Sequence, residues 1–483
     1  MKRAGRWLLI VCALIALTGQ SPALSAEVST AFNYCLDYGR VPEADGSSRV
    51  PMPQAYTPGW RISALGEHGS LNAPKDMFVT PEGDMLIADT ENDRIVLIKR
   101  SGNVAGVWGA ELGLRQPQGV FLQKGVIYIA DTGNNRIIGI DMDGNILTDI
   151  RKPDSEYIDR ETIFSPRKLV VSETDIIYVV SGDNLMSIDM DGNFLGYLGE
   201  TKLSFNLVRF LIRIFATQEQ KSQLPAPTRA QFRSVYLSHD GYIYGITSNE
   251  FYSQIYKVNS IGRNLYPQQF YGDRWMGEDN EVVTTSFIAL AVSDKNVVTT
   301  IDSKSGRLYQ YDKSGENLCV FGAGSSPDKK GDIFSPAALG VDMDGTIYVL
   351  DAGANSVQLY IPTDFIDTLH TAMMMYYDGE YDASLDAFKA VLQTDNNHML
   401  SHWGIGNVYL QMKDYPSAMK EYRLSDSWYW YSVAFEKNRQ EFVSEHFGLV
   451  VVSIAAIVGF ILWVVPRLRR LSGKIINRYY GMS

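Results

Sequence analysis

The chain has 483 residues, 45% hydrophobic and 20% charged, a length and composition typical of a globular protein of roughly two to four domains. Its formal net charge is −11, and all 55 acidic residues lie between residues 27 and 446. An acidic portion without a basic patch repels phosphate backbones, so the composition excludes a nucleic-acid-binding protein.

The first 26 residues predict a secretory signal peptide. Three basic residues precede an uncharged apolar run at residues 7–17, and the small-residue stretch SPALSA closes the segment. This is the order of regions in a cleavable signal. An uncleaved signal anchor is the alternative. Residues 27–57 follow as an N-terminal leader.

An internal repeat dominates the next three hundred residues. The stretch YIADTGNNRIIGIDMDGN begins at Tyr128, and the near copy LIADTENDRIVLIKRSGN begins at Leu86. Alternating β-branched and aromatic residues bounded by Gly, Asp and Asn are typical of short strands, four in each unit. Six such units begin at Pro74, Pro117, Pro166, Phe232, Phe287 and Pro336. A radial arrangement covers the faces of such sheets, so we predict an all-β six-bladed propeller at residues 58–362. The stretch PGWRISALG, residues 58–66, is predicted to supply the outermost strand of the sixth blade.

An insertion separates the third and fourth units. Within residues 203–217, five apolar side chains recur at helical spacing on one face: Leu207, Phe210, Leu211, Ile214 and Phe215. A helix packed against the side of the propeller is one interpretation. A docking face for a membrane surface or a partner is the other.

An acid and an arginine five residues later recur in several units. The positions are Asp89 with Arg94, Asp131 with Arg136, and Asp302 with Arg307, while Asp351 keeps the acid alone. The same spacing in several blades favours a structural role in which each pair ties a strand-connecting turn to its own or the next blade. The alternative is that these charges rim the channel and bind a ligand.

The sequence carries no pattern that assigns a catalytic, cofactor-binding or metal-ligating residue, so no cofactor is predicted. Only His68 and His239 of the six histidines fall in the propeller region, too few for a three-histidine zinc centre. The DMDG stretches at Asp141, Asp189 and Asp342 predict hairpin turns, with calcium binding as the alternative.

Two cysteines, Cys35 and Cys319, remain after removal of the signal peptide, because Cys12 lies inside it. In an exported protein two cysteines can pair. The sequence leaves this question open.

After residue 362 the apolar period changes from strand-like to helical. In residues 363–446, GEY at Gly379 and KDY at Lys413 lie 34 residues apart, the period of tetratricopeptide helix pairs. Residues 447–465 form an uncharged run long enough to cross a bilayer. Residues 466–483 are basic and without acids, so the positive-inside rule predicts a cytoplasmic tail and an ectodomain outside the cytoplasm.

The units that begin with Pro-x-Gly and continue with Ala-Asp-Thr-x-Asn-x-Arg-Ile resemble NHL repeats. The leader FNYCLDYG, the blade-five stretch IDSKSGRLYQYDKSGENLCVFG and the propeller exit YIPTDFIDTLHTAM extend the match. Nearly the full mature chain resembles a family of bacterial membrane-anchored proteins with an NHL-like propeller, tetratricopeptide-like helices and one C-terminal membrane helix. The resemblance implies genes placed near components of carbohydrate ABC transporters.

The leading functional hypothesis is therefore a single-pass, membrane-anchored extracytoplasmic interaction or scaffold protein. The resemblance implies an accessory role at a carbohydrate transporter, with a membrane protein such as a permease as partner and a carbohydrate as a possible ligand. One alternative is a propeller hydrolase or lyase acting on a sugar derivative. Another is a ligand sensor.

Overall fold

The computed structural model describes residues 34–37 and 48–481, with the exception of 154, 156–157, 159–162, 200–229, 260–261, 277–280 and 324–328. Two compact units are present, residues 1–374 and residues 375–483. The predicted signal peptide and the predicted helix at 203–217 lie outside the described residues.

Twenty-seven short strands form the first unit in its described part. Those before residue 200 are β1 (Tyr34–Asp37), β2 (Ser48–Pro51), β3 (Tyr56–Ile62), β4 (Asp76–Val79), β5 (Met85–Asp89), β6 (Arg94–Ile98), β7 (Val104–Trp108), β8 (Gly119–Gln123), β9 (Val126–Asp131), β10 (Arg136–Ile140), β11 (Ile146–Ile150), β12 (Pro166–Val171), β13 (Ile177–Ser181), β14 (Asn184–Ile188) and β15 (Phe194–Tyr197). Those after residue 229 are β16 (Phe232–Leu237), β17 (Ile243–Thr247), β18 (Ile255–Val258), β19 (Arg274–Met276), β20 (Val282–Thr284), β21 (Phe287–Val292), β22 (Val298–Asp302), β23 (Leu308–Tyr311), β24 (Asn317–Phe321), β25 (Pro336–Val341), β26 (Ile347–Asp351) and β27 (Ser356–Pro362).

The strands form six antiparallel blades, which confirms the predicted six-bladed propeller. Blade one is β4–β7, blade two β8–β11 and blade three β12–β15. Blade four contains β16–β18, and blade five contains β21–β24. Blade six is β25–β27 completed by β3. The hairpin β19–β20 lies in the chain between blades four and five.

The ring closes where the N-terminal strand β3 joins the last blade. β3 pairs antiparallel with β27, with Ile62 opposite Val357 and Tyr56 opposite Pro362. The residues 58–66 singled out in the sequence overlap this strand, which begins two residues earlier. The side chain of Arg61 reinforces the closure, because it donates to the carbonyl oxygen of Asp332 at 2.6 Å.

The core lies between blades, where neighbouring sheets cover each other's faces. Every residue of β5, β22 and β26 is buried, as expected for inner strands covered on both sides. A large shared cluster joins blades two, three and four, and includes Leu169, Val179 and Val235. Other clusters join blades four and five, six and one, and one and two, so the core consists of several clusters that each span neighbouring blades.

The leader contributes more than the sequence indicated. β1 and β2 form a hairpin whose first strand pairs with β24, so blade five becomes a six-stranded sheet. Arg49 of this hairpin makes a 2.6 Å ion pair with the fully buried Asp273. These strands of four residues cover an edge that would otherwise expose unpaired backbone groups.

Helices follow the propeller. They are α1 (Asp364–Asp378), α2 (Tyr381–Thr394), α3 (Met399–Gln411), α4 (Tyr415–Leu424), α5 (Trp428–Glu445) and α6 (Phe447–Tyr480). Within the second unit, close packing requires glycine at two positions of α3. A Cβ on Gly404 would lie 2.6 Å from a ring carbon of Phe388, and one on Gly406 would lie 2.7 Å from the Tyr422 ring. Small residues therefore let aromatic side chains of α2 and α4 approach the backbone of α3.

The last helix, α6, is long and apolar enough to cross a membrane over Phe447–Ile475. Among the described residues it is the single helix with these properties. Its large apolar side chains, such as Phe460 and Leu462, are exposed in the chain by itself. A lipid environment would cover them.

Candidate functional site at the channel mouth

A cavity of about 880 Å³ opens at one end of the central channel. We call this end the channel mouth and define it by the turns between the first and second strands of the blades. The turns are residues 80–84, 123–126, 172–176, 238–242, 293–297 and 342–346, and each contributes to the cavity lining. All six blades therefore share one site, as expected where ligands bind in concave, largely pre-formed pockets.

Most of these turns are built in the same way. A hydroxyl or carboxylate in the first position accepts a hydrogen bond from the backbone N–H four residues later, as in Thr80 with Asp84 at 3.1 Å and Asp342 with Thr346 at 2.9 Å. A residue with positive φ then closes the turn, such as Gly83 (88°). Because short polar side chains stabilise such turns locally, the mouth keeps its shape without long loops.

The floor of the cavity is aromatic. Phe78 and Phe121 pack edge to face with ring centroids 4.8 Å apart, and both line the cavity together with Tyr178 and Tyr236. The hydroxyl of Tyr236 donates to the carbonyl oxygen of Val292 at 3.4 Å. Burial raises the pKa of Tyr236 to about 12, so this phenol stays protonated at neutral pH.

The rim of the cavity is acidic. Five carboxylates line it, while Lys124 and His239 are the basic side chains of the lining. The carboxylates are Glu82, Glu173, Asp240, Asp294 and Asp342. Lys124 pairs with Asp175 at 2.8 Å and Asp240 pairs with Lys257 at 3.2 Å. The rim acids that remain favour a neutral or cationic ligand over an anion.

Two rim carboxylates differ in their surroundings. Burial opposes the ionisation of Asp240, but hydrogen bonds from Ser238 and Lys257 outweigh this effect and lower its pKa. For Asp342, burial prevails and raises the pKa, although Tyr348 donates to its Oδ2 at 3.0 Å. Asp240 therefore stays an acceptor at neutral pH, while burial makes Asp342 easier to protonate than an exposed aspartate.

A buried ion pair lies deeper in the channel, where three blades meet. Lys168 of blade three contacts the carboxylate of Asp76 in blade one. The same carboxylate accepts from the backbone N–H of Met77 at 2.8 Å and of Val120, in blade two, at 2.9 Å. Burial raises the pKa of Asp76, against the opposing effect of Lys168 and these N–H groups. The pair ties the inner strands together beneath the aromatic floor.

The acid–arginine pairs from the sequence lie elsewhere, at the turns between the second and third strands. Asp89 accepts from Arg94 and Asp131 accepts from Arg136, both at 2.7 Å. The second oxygen of Asp89 accepts from the backbone N–H of Asn72 at 2.7 Å. These contacts tie each turn to the segment that leads into its own blade, and none of these four side chains lines the cavity.

The two later positions keep the acid and change its partners. Asp302 accepts from the backbone N–H of Ser286 at 2.7 Å and from the hydroxyl of Ser305 at 2.6 Å. Arg307 lies over the ring of Trp275, 5.8 Å from its centroid. Asp351 accepts from the backbone N–H groups of residues 334 and 335 at 2.7 and 2.9 Å. The shared feature is the acid that fastens its blade, and the arginine is optional.

The five apolar residues proposed as a docking face, Leu207, Phe210, Leu211, Ile214 and Phe215, lie outside the described residues, so that hypothesis stays open. In the described part of the chain, no three or more His, Cys, Asp or Glu side chains are grouped to hold a metal ion. The sequence missed the cavity because its lining residues come from six turns that each look ordinary. It also missed the pair of Asp76 and Lys168, which are 92 residues apart.

The fold and the cavity define the class of protein: a six-bladed β-propeller with a cavity at its channel mouth, followed by helices and a C-terminal apolar helix that could span a membrane. No protein-family profile matches the chain.

Solved structures with a similar fold include a streptogramin B lyase, at 10% identity and a TM-score of 0.40, covering 64% of this chain and 98% of the lyase chain. The virginiamycin B lyase from Staphylococcus aureus is 11% identical, with a TM-score of 0.38. The match covers 64% of this chain and 89% of the lyase chain. The Kuenenia stuttgartiensis hydrazine synthase is 11% identical, with a TM-score of 0.39. The match covers 61% of this chain and 96% of the synthase chain. A likeness this remote concerns the fold alone.

Proposed function

We propose that the protein is a membrane-anchored, extracytoplasmic binding protein that takes a small polyhydroxylated molecule, of the carbohydrate class, at the channel mouth. The observation that carries the proposal is the 880 Å³ cavity with an aromatic floor and an acidic rim. This volume lies in the range of small-molecule sites, about 300–1,000 Å³.

The lining suits the chemistry of a sugar. A sugar ring presents apolar C–H groups on its faces and hydroxyl groups at its edge. The rings of Phe78, Phe121 and Tyr178 offer apolar contact. Ionised carboxylates accept hydrogen bonds only, and hydroxyl groups donate them, so Asp240 and Asp294 suit hydroxyl recognition. The excess of acid on the rim disfavours phosphorylated sugars.

The C-terminal helix supports the membrane part of the proposal. α6 is long and apolar enough to cross a membrane, and the basic residues of its C-terminal part favour a cytoplasmic end. In this arrangement the propeller lies outside the cytoplasm and presents its ligand to a membrane-protein partner, such as the permease of a carbohydrate transporter.

Binding is tested with the full chain purified in detergent. A panel of neutral, amino and phosphorylated mono- and oligosaccharides is titrated by isothermal calorimetry, with Asp240→Asn and Asp294→Asn as site variants. We expect at least one neutral sugar to bind, with an affinity about tenfold lower in each variant, since one hydrogen bond to a charged group contributes about 1.5–3 kcal/mol. Glu91→Gln, an exposed position at the opposite end of the blades, is the matched control and should bind like the parent chain.

Two results would contradict the proposal. One is the absence of binding by every sugar in the panel. The other is an equal loss of affinity in Glu91→Gln and the rim variants. Mass spectrometry of the recovered sugar adds a third reading, because stoichiometric recovery of unchanged ligand supports a binding protein, whereas cleavage products would favour the hydrolase or lyase alternative.

A further inference from the structure

The N-terminal hairpin places one cysteine beside another. In the pairing of β1 with β24, Tyr34 lies opposite Val320, and the strands are antiparallel. The next residue of β1 therefore runs alongside the preceding residue of β24. These two residues are Cys35 and Cys319. They are 284 positions apart in the sequence, and only the docking of the leader on blade five brings their backbones together.

The backbone spacing at such a position suits a disulfide. Directly opposite residues in an antiparallel pair have Cα atoms about 4.5–5.5 Å apart, and disulfides span Cα separations of about 4.4–6.8 Å. Residues opposite each other also share a face of the sheet. Cys319 is fully buried and lies opposite Gln310 on its other neighbouring strand. The cysteine of β24 is thus held inside the protein rather than on its surface.

We propose that Cys35 and Cys319 form a structural disulfide that fastens the leader hairpin to blade five. The two thiols lose two protons and two electrons and gain one S–S bond. The electrons pass to the disulfide of a thiol oxidant by exchange: one cysteine forms a mixed disulfide with the oxidant, and the other displaces the oxidant as a dithiol. Because Cys319 is buried in the folded protein, the exchange takes place before the hairpin has docked.

The proposed disulfide depends on the extracytoplasmic location given in the proposed function, since disulfides persist in oxidising compartments. It closes a very long loop and restricts the unfolded chain. The hairpin covers the edge of blade five and brings Arg49 to Asp273. The disulfide therefore holds a two-stranded element that is marginally stable by itself.

The test is peptide mapping of the full chain taken from membranes. Cells are lysed in urea with N-ethylmaleimide, so that the buried Cys319 is exposed and every free thiol is blocked, and the protein is digested without reduction. We expect a linked peptide pair that contains residues 35 and 319 and disappears after reduction. Maleimide on both cysteines of the unreduced protein would overturn the proposal.

A second experiment distinguishes a wrong pairing register between β1 and β24 from a wrong cellular location of the propeller. Protein purified in reduced form is unfolded and refolded with oxidised glutathione before mapping. If the cellular protein carries two thiols and the refolded protein carries the link, then the native bond and the extracytoplasmic location are wrong, whereas sugar binding can still be measured. If neither carries the link, the register is wrong.

A variant gives a readout of stability. Cys35→Ser should melt at least about 3 °C below the parent chain without reductant, because a native disulfide contributes to stability. With reductant the two chains should melt together. An equal difference in both buffers would mean that the serine, and not the loss of a bond, causes the change.

Discussion

Thr90 donates a 2.7 Å hydrogen bond from its hydroxyl to the carbonyl oxygen of Pro117, across the boundary between blades one and two. Thr132 makes the same contact with Pro166 at 2.6 Å, between blades two and three. In the repeated Ala-Asp-Thr stretch the aspartate thus bonds to the segment that leads into its own blade. The threonine bonds to the first residue of the next blade's unit. The repetition of the stretch follows from a geometry that repeats around the ring.

Replacing Thr90 with Val should weaken this boundary. The change keeps the shape of the side chain and leaves the buried carbonyl of Pro117 without its donor, which costs about 1–3 kcal/mol. We expect the urea midpoint, followed by tryptophan fluorescence, to fall accordingly. Thr90→Ser keeps the hydroxyl and is the control. Equal midpoints for the Val and Ser variants would argue against a role for this bond.

The buried pair of Asp76 and Lys168 predicts strong coupling between blades one and three. Asp76→Asn or Lys168→Met alone leaves the other side chain as an uncompensated buried charge. Each single variant should therefore lose about 3–5 kcal/mol of the free energy of unfolding. The double variant removes both charges, so we expect it to be much more stable than the sum of the single effects implies. Denaturant unfolding of all four proteins completes the cycle. Additive losses would show that the two charges act independently.

The pH dependence of stability should depend on His370. Its Nε2 lies 3.1 Å from the side-chain oxygen of Gln310, and burial, aided by Lys295 and opposed by Asp367, lowers its pKa from 6.5 to about 3. The folded state thus binds fewer protons than the unfolded state between pH 6.5 and 3. Stability therefore falls as the pH drops through that window, by about 2 kcal/mol at pH 5 from this site.

The variant His370→Gln isolates this contribution, since glutamine keeps a donor and does not titrate. Urea unfolding at pH 7, 6 and 5 should show a shallower fall for the variant, by about 2 kcal/mol across the range. Both proteins keep every other titrating group, including His398, whose pKa burial lowers to about 4. Parallel curves would mean that His370 titrates alike in the folded and unfolded states.

The repeat made the blades predictable because each unit carries its own local signals. Apolar alternation indicates the strands, and Gly, Asn and Asp mark the turns, so six copies specify six blades. The closing strand was predictable for the same reason, since the sixth unit lacks one strand and PGWRISALG has the right pattern. The hairpin of β1 and β2 was not, because strands of four residues carry too little alternation.

The site was less predictable than the fold. The acid–arginine pairs attract attention because they repeat, and a repeated contact serves the common architecture. The cavity depends instead on residues that differ from blade to blade, such as Phe78, Tyr236 and Asp294. Asp76 and Lys168 occupy the third position of units one and three, and only the curvature of the ring brings them together.

The contact between the last and first blades gives the final prediction. Gly340 of β25 packs on Val79 of β4, where an added Cβ would lie 2.7 Å from Val79 Cβ and closer still to its Cγ2. Gly340→Ala should therefore force the blades apart and cost about 1–3 kcal/mol, the range for overpacked cores. Val79→Ala removes Cγ2 but keeps Cβ, so we expect a partial rescue: Gly340→Ala should cost less stability in the Val79→Ala background than in the parent chain. Urea midpoints of the three variants test this. If Gly340→Ala is as stable as the parent chain, or if Val79→Ala fails to rescue it, the two blades do not meet at these residues.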